Sequence, residues 1–307
     1  MSSRPTRTEL LAFAALLTMT AAWGSTFFMI KDILTRVEVI DLLAVRFAIA
    51  GIALLLIAGR QLNMSRSTLL RGVGLGVLYG IAQILQTTGL AHTSASVSGF
   101  ITGLYVVATP LLGALLLRSR ISRLTWLATG LATVGLGVLS LNGFSIGYGE
   151  LLTLASAIIY AGHIVALGRL SGPGTAMSLS VVQMWVIAVL CSFAALVPTG
   201  DTTPGIQLPS TGSDWLIVGY LAVIAGAMTM VLQTWAQARI EPSRAAVVMA
   251  MEPVWAAGFA VTFGGEQVTV RMVIGGLAIL GAIYLVELAP RHLPSRRSER
   301  PVEEQIR

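Results

Sequence analysis

The chain has 307 residues, of which 55% are hydrophobic and 11% are charged, and its mean hydropathy is +0.81. Soluble domains carry about 25% charged residues, so this composition excludes a soluble globular protein, because too few polar side chains exist to cover its surface. The net charge is +6, but the basic residues are scattered without an aromatic-basic motif, which argues against nucleic acid as a partner.

Apolar runs of about 20 residues recur along the chain, and each is long enough to cross a hydrocarbon core of about 30 Å as a helix. Strands of a membrane barrel would instead alternate over about 10 residues. We therefore predict an all-α membrane protein with ten transmembrane helices. The predicted spans are 9–30, 40–59, 70–91, 96–117, 123–141, 150–169, 176–197, 214–238, 243–263 and 268–288.

Two features at the level of single residues limit the class of protein further. The first apolar run follows Arg4 and Arg7 but continues to Ile30 without a small-residue cleavage site, so it is read as a span and not as a signal peptide. Cys191 is the single cysteine and lies within a predicted span. The sequence therefore predicts neither a disulfide nor a cysteine-based metal site, and it indicates no cofactor.

The Lys and Arg residues are distributed unequally between the two sides of the predicted spans. With the N-terminus inside, 16 of the 20 fall on one side. The other side holds only Lys31, Arg36, Arg46 and Arg271. Because cytoplasmic loops carry the excess of basic residues, this predicts cytoplasmic termini at residues 1–8 and 289–307, with the Arg-rich tail near the lipid surface.

The two halves of the sequence resemble each other at an offset of 147 residues. Leu85-Gln86-Thr87 corresponds to Leu232-Gln233-Thr234, and Tyr105 corresponds to Glu252. This predicts two repeats, 9–141 and 150–288, each with five spans. Because five is odd, the second repeat must cross the membrane with the opposite orientation, an architecture typical of secondary transporters. An inert helical scaffold and an intramembrane enzyme remain as alternatives.

Short motifs then resemble a known family. They are Trp23-Gly24-Ser25-Thr26-Phe27, Arg46-Phe47, Thr93-Ser94-Ala95, Gly99 to Tyr105, and Met251-Glu252-Pro253-Val254. Together with the ten spans, they resemble EamA-type members of the drug/metabolite transporter superfamily over about residues 10–288. The resemblance implies a carrier of small molecules in the cytoplasmic membrane, often an exporter of amino acids or other metabolites, without an ATP-binding part.

Glu252 is the clearest candidate for a functional ionisable group. It lies nine residues into its predicted span, near the middle of the bilayer, where a charged side chain costs roughly 2.5 to 3.5 kcal/mol on insertion scales. Desolvation favours its neutral form, which suits proton coupling or the binding of an amine. The structural alternative is a hydrogen-bonding group beside a kink at Pro253. Pro110 is a further hinge candidate, in the first repeat.

His163 is the histidine deepest within a predicted span, and Tyr160 shares its helical face. A lone histidine is more often an interhelical contact than a proton relay, and this one has no companions at metal-ligand spacing. Both residues are candidates for the substrate cavity, and no metal site is predicted.

Two helical stripes supply further candidates. Tyr79, Gln83 and Gln86 follow one face of the third span, and Gln233 lies on the matching face of the eighth. Their structural alternative is hydrogen bonding between helices, which contributes about 0.6 kcal/mol per bond in membranes.

Trp23, Trp255 and Tyr105 could line an amphipathic cavity, although contact with core or lipid is at least as common for such residues. Glycines on the third and fifth spans predict close helix packing.

The sequence therefore predicts a secondary-active exporter of a small metabolite such as an amino acid, and not an enzyme. Its expected partners are the substrate, protons and the lipid bilayer, and its oligomeric state is not predicted. The alternative is an efflux carrier for drugs or other cations, favoured if Glu252 attracts a cation among aromatic rings. An intramembrane enzyme is less well supported, because no nucleophile and base occur at suitable spacing.

Overall fold

A computed structural model describes residues 6–59, 62, 64–93, 95–117, 121–140, 147–172, 174–196, 206–263 and 268–288. These residues form helices and short connections, with no β-strand among them. The α-helices are α1 (Arg7–Gly24), α2 (Thr26–Ile33), α3 (Val39–Ala58), α4 (Arg66–His92), α5 (Ala95–Gly103), α6 (Tyr105–Leu117), α7 (Arg123–Ser140), α8 (Tyr148–Leu170), α9 (Ala176–Leu196), α10 (Gly212–Ala222), α11 (Thr229–Gln237), α12 (Pro242–Met249), α13 (Glu252–Phe263) and α14 (Val270–Leu288). A π-helical segment, Val223–Met228, joins α10 to α11. The predicted all-α class is confirmed.

The described chain contains helices of the length and composition that a membrane requires. Seven stretches qualify as candidate spans, namely Arg7–Ile33, Val39–Ala58, Arg66–His92, Tyr148–Leu170, Ala176–Leu196, Gly212–Gln237 and Pro242–Phe263. Two shorter apolar stretches are Ile101–Leu116 and Val273–Leu285. Each of the ten predicted spans coincides with helix to within a few residues. Large apolar side chains such as Leu56, Leu115 and Leu216 point outward, as expected for a surface that faces lipid. The predicted tail, 289–307, lies outside the described residues.

Local sequence signals set where several helices begin. Before α1, the Thr6 hydroxyl accepts a hydrogen bond from the Glu9 backbone N–H, and the Glu9 carboxylate accepts one from the Thr6 backbone N–H. Thr211 caps α10 through the backbone N–H of Asp214. Such caps satisfy N–H groups that have no partner within the helix.

The helix contacts of one half correspond to those of the other. The helix α4, of the third span, packs on α8 of the sixth. The equivalent contact after exchange of the two halves, between the eighth span and the first, is the packing of α11 on α1. The contacts of α3 with α9, of α7 with α14 and of α6 with α12 map onto themselves. This is the contact pattern expected if the two halves are related by an approximate two-fold axis.

Glycines allow some of these helices to approach closely, as the sequence predicts. A Cβ atom added at Gly72 or Gly76 of α4 would lie 2.7 Å from Val182 or Val186 of α9. A Cβ atom at Gly135 of α7 would lie 2.8 Å from the carbonyl oxygen of Gly275. These glycines therefore form close-packing surfaces, whereas Gly74 and Gly130 face open space and do not.

Two spans are interrupted at corresponding positions. The fourth segment consists of α5, Leu104 and α6, and the ninth segment consists of α12, Ala250–Met251 and α13. Leu104 and Met251 are separated by the same offset of 147 residues that relates the repeats in sequence. Pro253 is the second residue of α13, where a missing N–H costs nothing. Pro110 lies inside α6, six residues after the interruption.

Polar contacts tie together the ends of several spans. Arg36, which follows α2, donates to Asp32 at 2.6 Å and to Asp214 of α10 at 2.9 Å. These two carboxylates raise the pKa of Arg36 above its ordinary value, so its charge is permanent. Lys31 Nζ donates to the carbonyl groups of Leu90, Ala91 and Thr93 at the end of α4. These hydrogen bonds and ion pairs hold the C-terminal ends of α2 and α4 and the N-terminal end of α10 together.

Candidate functional site

A cavity lies between the two halves. Its lining comprises Trp23, Thr26, Phe27, Ile30, Arg46, Gln83, Gln86, Thr87, Leu90, Thr102 and Tyr105 from the first half, and Tyr160, Ile164, Gln233, Met249 and Glu252 from the second. The cavity extends from the two interrupted segments toward the C-terminal ends of α2 and α4, where Ile30 and Leu90 lie.

Three pairs of lining residues are related by the offset of 147 residues. Gln86 corresponds to Gln233, Thr102 to Met249, and Tyr105 to Glu252. The interruptions at Leu104 and Met251 therefore bring equivalent positions of both halves to one cavity. The first pair is identical, whereas the residue types differ in the other two, so the equivalent positions of the two halves carry partly different side chains.

Glu252 and Tyr105 begin the second helix of their respective segments. Glu252 is 6% exposed and Tyr105 is 2% exposed. Within the described residues, neither side chain forms a hydrogen bond or an ion pair. Burying a carboxyl group without a partner costs free energy, so such a residue inside a membrane span is a candidate functional group. The structure places the predicted Glu252 on the cavity wall.

Arg46 is a lining residue that the sequence interpretation assigned wrongly. Although it falls within the predicted span 40–59, it counts there only as a basic residue of the outer side, whereas the structure places it in α3 with 4% of its surface exposed. The available signal was the one used for Glu252, namely an ionisable residue inside an apolar run. Because Arg46 lies within a span, it does not belong in the count of Lys and Arg residues in the loops that predicts orientation. It is instead a cationic residue of the cavity wall.

Gln86 is held by neighbours on two other helices. The Tyr160 hydroxyl donates to Gln86 Oε1 at 3.0 Å, and Gln86 Nε2 donates to Thr102 Oγ1 at 3.0 Å. This chain of hydrogen bonds connects α8, α4 and α5 along the cavity wall. Gln83 donates to the Tyr79 hydroxyl at 3.1 Å within α4. The interhelical alternative predicted for these glutamines thus applies to Gln86.

Gln233 differs from its counterpart. In the second half the contact with the residue equivalent to Thr102 is made by Gln237, whose Nε2 lies 3.7 Å from Met249 Sδ. Gln233 Oε1 is buried and has no hydrogen-bond partner among the described residues. Gln233 is also one of the cavity-lining residues, so its side chain is a candidate contact for a bound molecule.

Trp23 connects the cavity to the irregular part of the eighth span. Its indole Nε1 donates to the carbonyl oxygen of Ala225 at 3.0 Å and to Thr229 Oγ1 at 3.1 Å. Ala225 belongs to the π-helical segment, and such segments are frequent at functional sites. Trp23 thus has its polar edge fixed and also lines the cavity.

Three predicted residues lie away from the cavity lining. Tyr79 and His163 are buried behind it with ring centroids 5.1 Å apart, and His163 Nε2 donates to Gln183 Oε1 of α9 at 2.8 Å. That bond matches the interhelical alternative for His163. Trp255 is 37% exposed on α13, and it is not among the lining residues.

The sequence matches the EamA-like transporter family twice, over residues 10–141 and over residues 147–288. These two matches together span most of the chain. The protein belongs to the EamA-like transporter family. It is a multi-pass membrane transporter, and the resemblance derived from its motifs is confirmed.

Relatives and a solved structure agree with this assignment. The chain is 29% identical over 268 residues to an uncharacterised transporter of Archaeoglobus fulgidus, covering 87% of this chain and 82% of that protein. It is 26% identical over 298 residues to the uncharacterised inner membrane transporter YedA of Escherichia coli K12, covering 94% and 95%. A crystal structure with 20% identity superposes with a TM-score of 0.72 over 92% of this chain and 96% of the other, which shows a shared fold.

Proposed function

We propose that this EamA family member is a secondary-active carrier that exports a small metabolite, with an amino acid as the leading candidate, by alternating access. The observation that carries the proposal is the cavity between the halves, whose wall contains three pairs of equivalent residues. Carriers built from inverted repeats place the substrate at this interface and expose it alternately by rocking one element against another. The same proposal makes the protein a carrier and not an enzyme.

The interrupted segments supply the motion in this mechanism. Each segment has a short break in its α-helix beside the cavity, at Leu104 and at Ala250–Met251. A short non-helical link absorbs a change in backbone angles at low cost, as hinges do. Pro253, directly after the second link, has no N–H to donate back to Met249, and Pro110 removes one hydrogen bond inside α6, so both prolines soften the helices that follow the links.

Glu252 supplies a site for proton coupling. Its carboxyl group is buried on the cavity wall, and it has no hydrogen-bond or ion-pair partner among the described residues. Binding or release of a proton would therefore change the charge of the cavity itself. In this proposal, protons or the substrate gradient drive net transport.

A second candidate function, efflux of cationic compounds, is favoured by one observation. The carboxyl of Glu252 shares the cavity with the rings of Trp23, Phe27 and Tyr105, an arrangement that suits a cation. The guanidinium group of Arg46 lies on the same wall and would repel a compound whose only charge is positive. We therefore rank this function second.

The experiment that tests the proposed function is a flux assay in proteoliposomes. The purified protein is reconstituted and offered a panel of radiolabelled amino acids, with protein-free vesicles as the control. Saturable flux of at least one amino acid is the expected result. Saturable flux of cationic dyes without flux of any amino acid would favour the second function, and no flux of either would contradict the carrier proposal.

We also place the protein in the cytoplasmic membrane with both termini in the cytoplasm, as the distribution of basic residues indicates. Single cysteines at Ser171 and Ser210 test this orientation, since Ser171 follows α8 and Ser210 precedes α10. The native Cys191 is buried and provides the unlabelled background. An impermeant maleimide should label Ser210→Cys in intact cells and Ser171→Cys only after permeabilisation, and the reverse result would invert the topology.

A further inference from the structure

Arg46 is the cation of the cavity wall, and nothing so far explains its presence there. It lies in α3, whose neighbouring residues are almost all apolar, and only 4% of its surface is exposed. It lines the cavity together with residues of both halves. A guanidinium group at this depth in a membrane protein is costly and is typical of a pathway or a binding site.

The protein does not neutralise this charge within its described residues. Arg46 Nε is buried without a hydrogen-bond partner, and no ion pair involves the side chain. The carboxyl of Glu252 lines the same cavity, but no salt bridge within 4.0 Å joins the two. The guanidinium carbon lies 4.7 Å from the ring centroid of Phe47, a local contact with the next residue.

Arg36 shows how this chain treats a cation that has a structural role. Arg36 lies at the end of a span and is paired with Asp32 and Asp214. Arg46 instead lies inside a span, beside a cavity, and without a carboxylate partner among the described residues. The missing counterion of Arg46 is thus best supplied by a molecule that enters the cavity.

The chemistry of the lining defines that molecule. A guanidinium group binds carboxylates through two parallel N–H···O hydrogen bonds, a geometry that lysine does not reproduce. The buried Oε1 of Gln233 accepts hydrogen bonds, and Phe27, Ile30 and Leu90 provide an apolar surface. A small compound with a carboxylate, a hydrogen-bond donor and an apolar part satisfies each of these groups.

We propose that Arg46 is the carboxylate-binding residue of this carrier, so that its substrates are carboxylate-bearing compounds and simple amines are excluded. This inference rests on the proposed transport function, since it concerns the same cavity. It assigns the selection of substrates to α3, while the interrupted segments carry the motion.

The test compares an amino acid with analogues that lack its carboxylate. The amino acid is the one with the highest flux in the panel; for leucine, the analogues are 3-methylbutylamine and leucinamide. In the wild-type protein, flux of the amino acid should exceed that of either analogue by about tenfold or more, the size expected when one buried charged contact is lost. Equal fluxes overturn the proposal without any variant being needed.

Variants locate the selectivity in Arg46. Arg46→Gln should lose most amino-acid flux while retaining or gaining flux of the two analogues, and Arg46→Lys should restore the amino-acid flux only in part. Arg244→Gln is the matched control, because Arg244 is also buried but is not among the lining residues. Retention of wild-type selectivity in Arg46→Gln overturns the inference.

The two proposals fail in different ways. If the wild-type protein carries no amino acid and no analogue, the proposed function is contradicted. If it carries amino acids and amines alike, transport stands and the role of Arg46 is contradicted.

Discussion

The fourth and ninth segments have the same interruption but opposite chemistry. Each breaks at the position related by 147 residues, and the next residue is Tyr105 in one and Glu252 in the other. Both side chains are buried on the same cavity wall. The comparison teaches that the repeat determines where the helix is broken, whereas a single substitution determines whether the next residue carries a phenol or a carboxyl group.

The two halves also differ in the glutamines that contact the fourth and ninth segments. In the first half Gln86 bonds to Thr102 of the fourth segment, but in the second half Gln237 takes the place beside Met249 of the ninth segment. Gln233 lines the cavity, and its buried Oε1 has no hydrogen-bond partner among the described residues. Gln86 is therefore held in a hydrogen-bond network that reaches Tyr160 of the second half, whereas Gln233 forms no equivalent network among the described residues.

The largest effect is expected when the carboxyl group of Glu252 is removed. In proteoliposomes, Glu252→Gln should reduce uptake driven by a pH gradient to background, because the amide cannot bind and release a proton, while substrate exchange continues. Tyr105→Phe removes a hydroxyl that has no partner among the described residues, so its transport should stay within about twofold of wild type. Undiminished driven uptake in Glu252→Gln would rule out proton coupling at this residue.

A smaller effect is expected where the ninth segment contacts α1. A Cβ atom at Gly24 would lie 2.7 Å from the Glu252 carbonyl oxygen and 2.8 Å from the Ala256 nitrogen, both backbone atoms that yield little. Gly24→Ala should therefore destabilise the protein by about 1–3 kcal/mol, measured by thermal unfolding in detergent.

Gly99 in the fourth segment is the matched control for Gly24. A Cβ atom there would meet only the Phe27 ring at 3.9 Å, which is ordinary contact. Gly99→Ala should be neutral or stabilising by up to about 1 kcal/mol, because alanine favours helix. Equal losses of stability in both variants would mean that the ninth segment is not more tightly seated than the fourth.

The smallest effects separate the two equivalent glutamines. Gln86→Leu should lower stability by about 1 kcal/mol, since it removes two interhelical hydrogen bonds of about 0.6 kcal/mol each. Gln233→Leu should leave stability nearly unchanged and raise KM by about three- to tenfold, as expected when one hydrogen bond to substrate is lost. If Gln233→Leu changes only stability, its proposed contact with substrate is wrong.

Much of this protein was predictable from the sequence. The length and spacing of the apolar runs predict the helices to within a few residues, because a bilayer allows few alternatives to a helix that satisfies its own backbone. The offset between Gln86 and Gln233 also names Glu252 and Tyr105 as equivalent, but the breaks in helix before these residues were not predicted. Periodicity alone did not separate residues at the cavity from those behind it, since Tyr79 and Gln83 share one face of α4 yet only Gln83 is in the lining.

The sequence by itself determined the membrane class, the helix positions, the repeat and the family, because hydrophobic length and internal similarity are properties of the chain. Only the tertiary structure decided which side chains meet. It brought Arg46 from α3 to the wall that also holds Glu252, joined His163 to Gln183, and turned Trp255 away from the lining. These outcomes depend on how helices distant in sequence are rotated and packed against each other, which no single apolar run specifies.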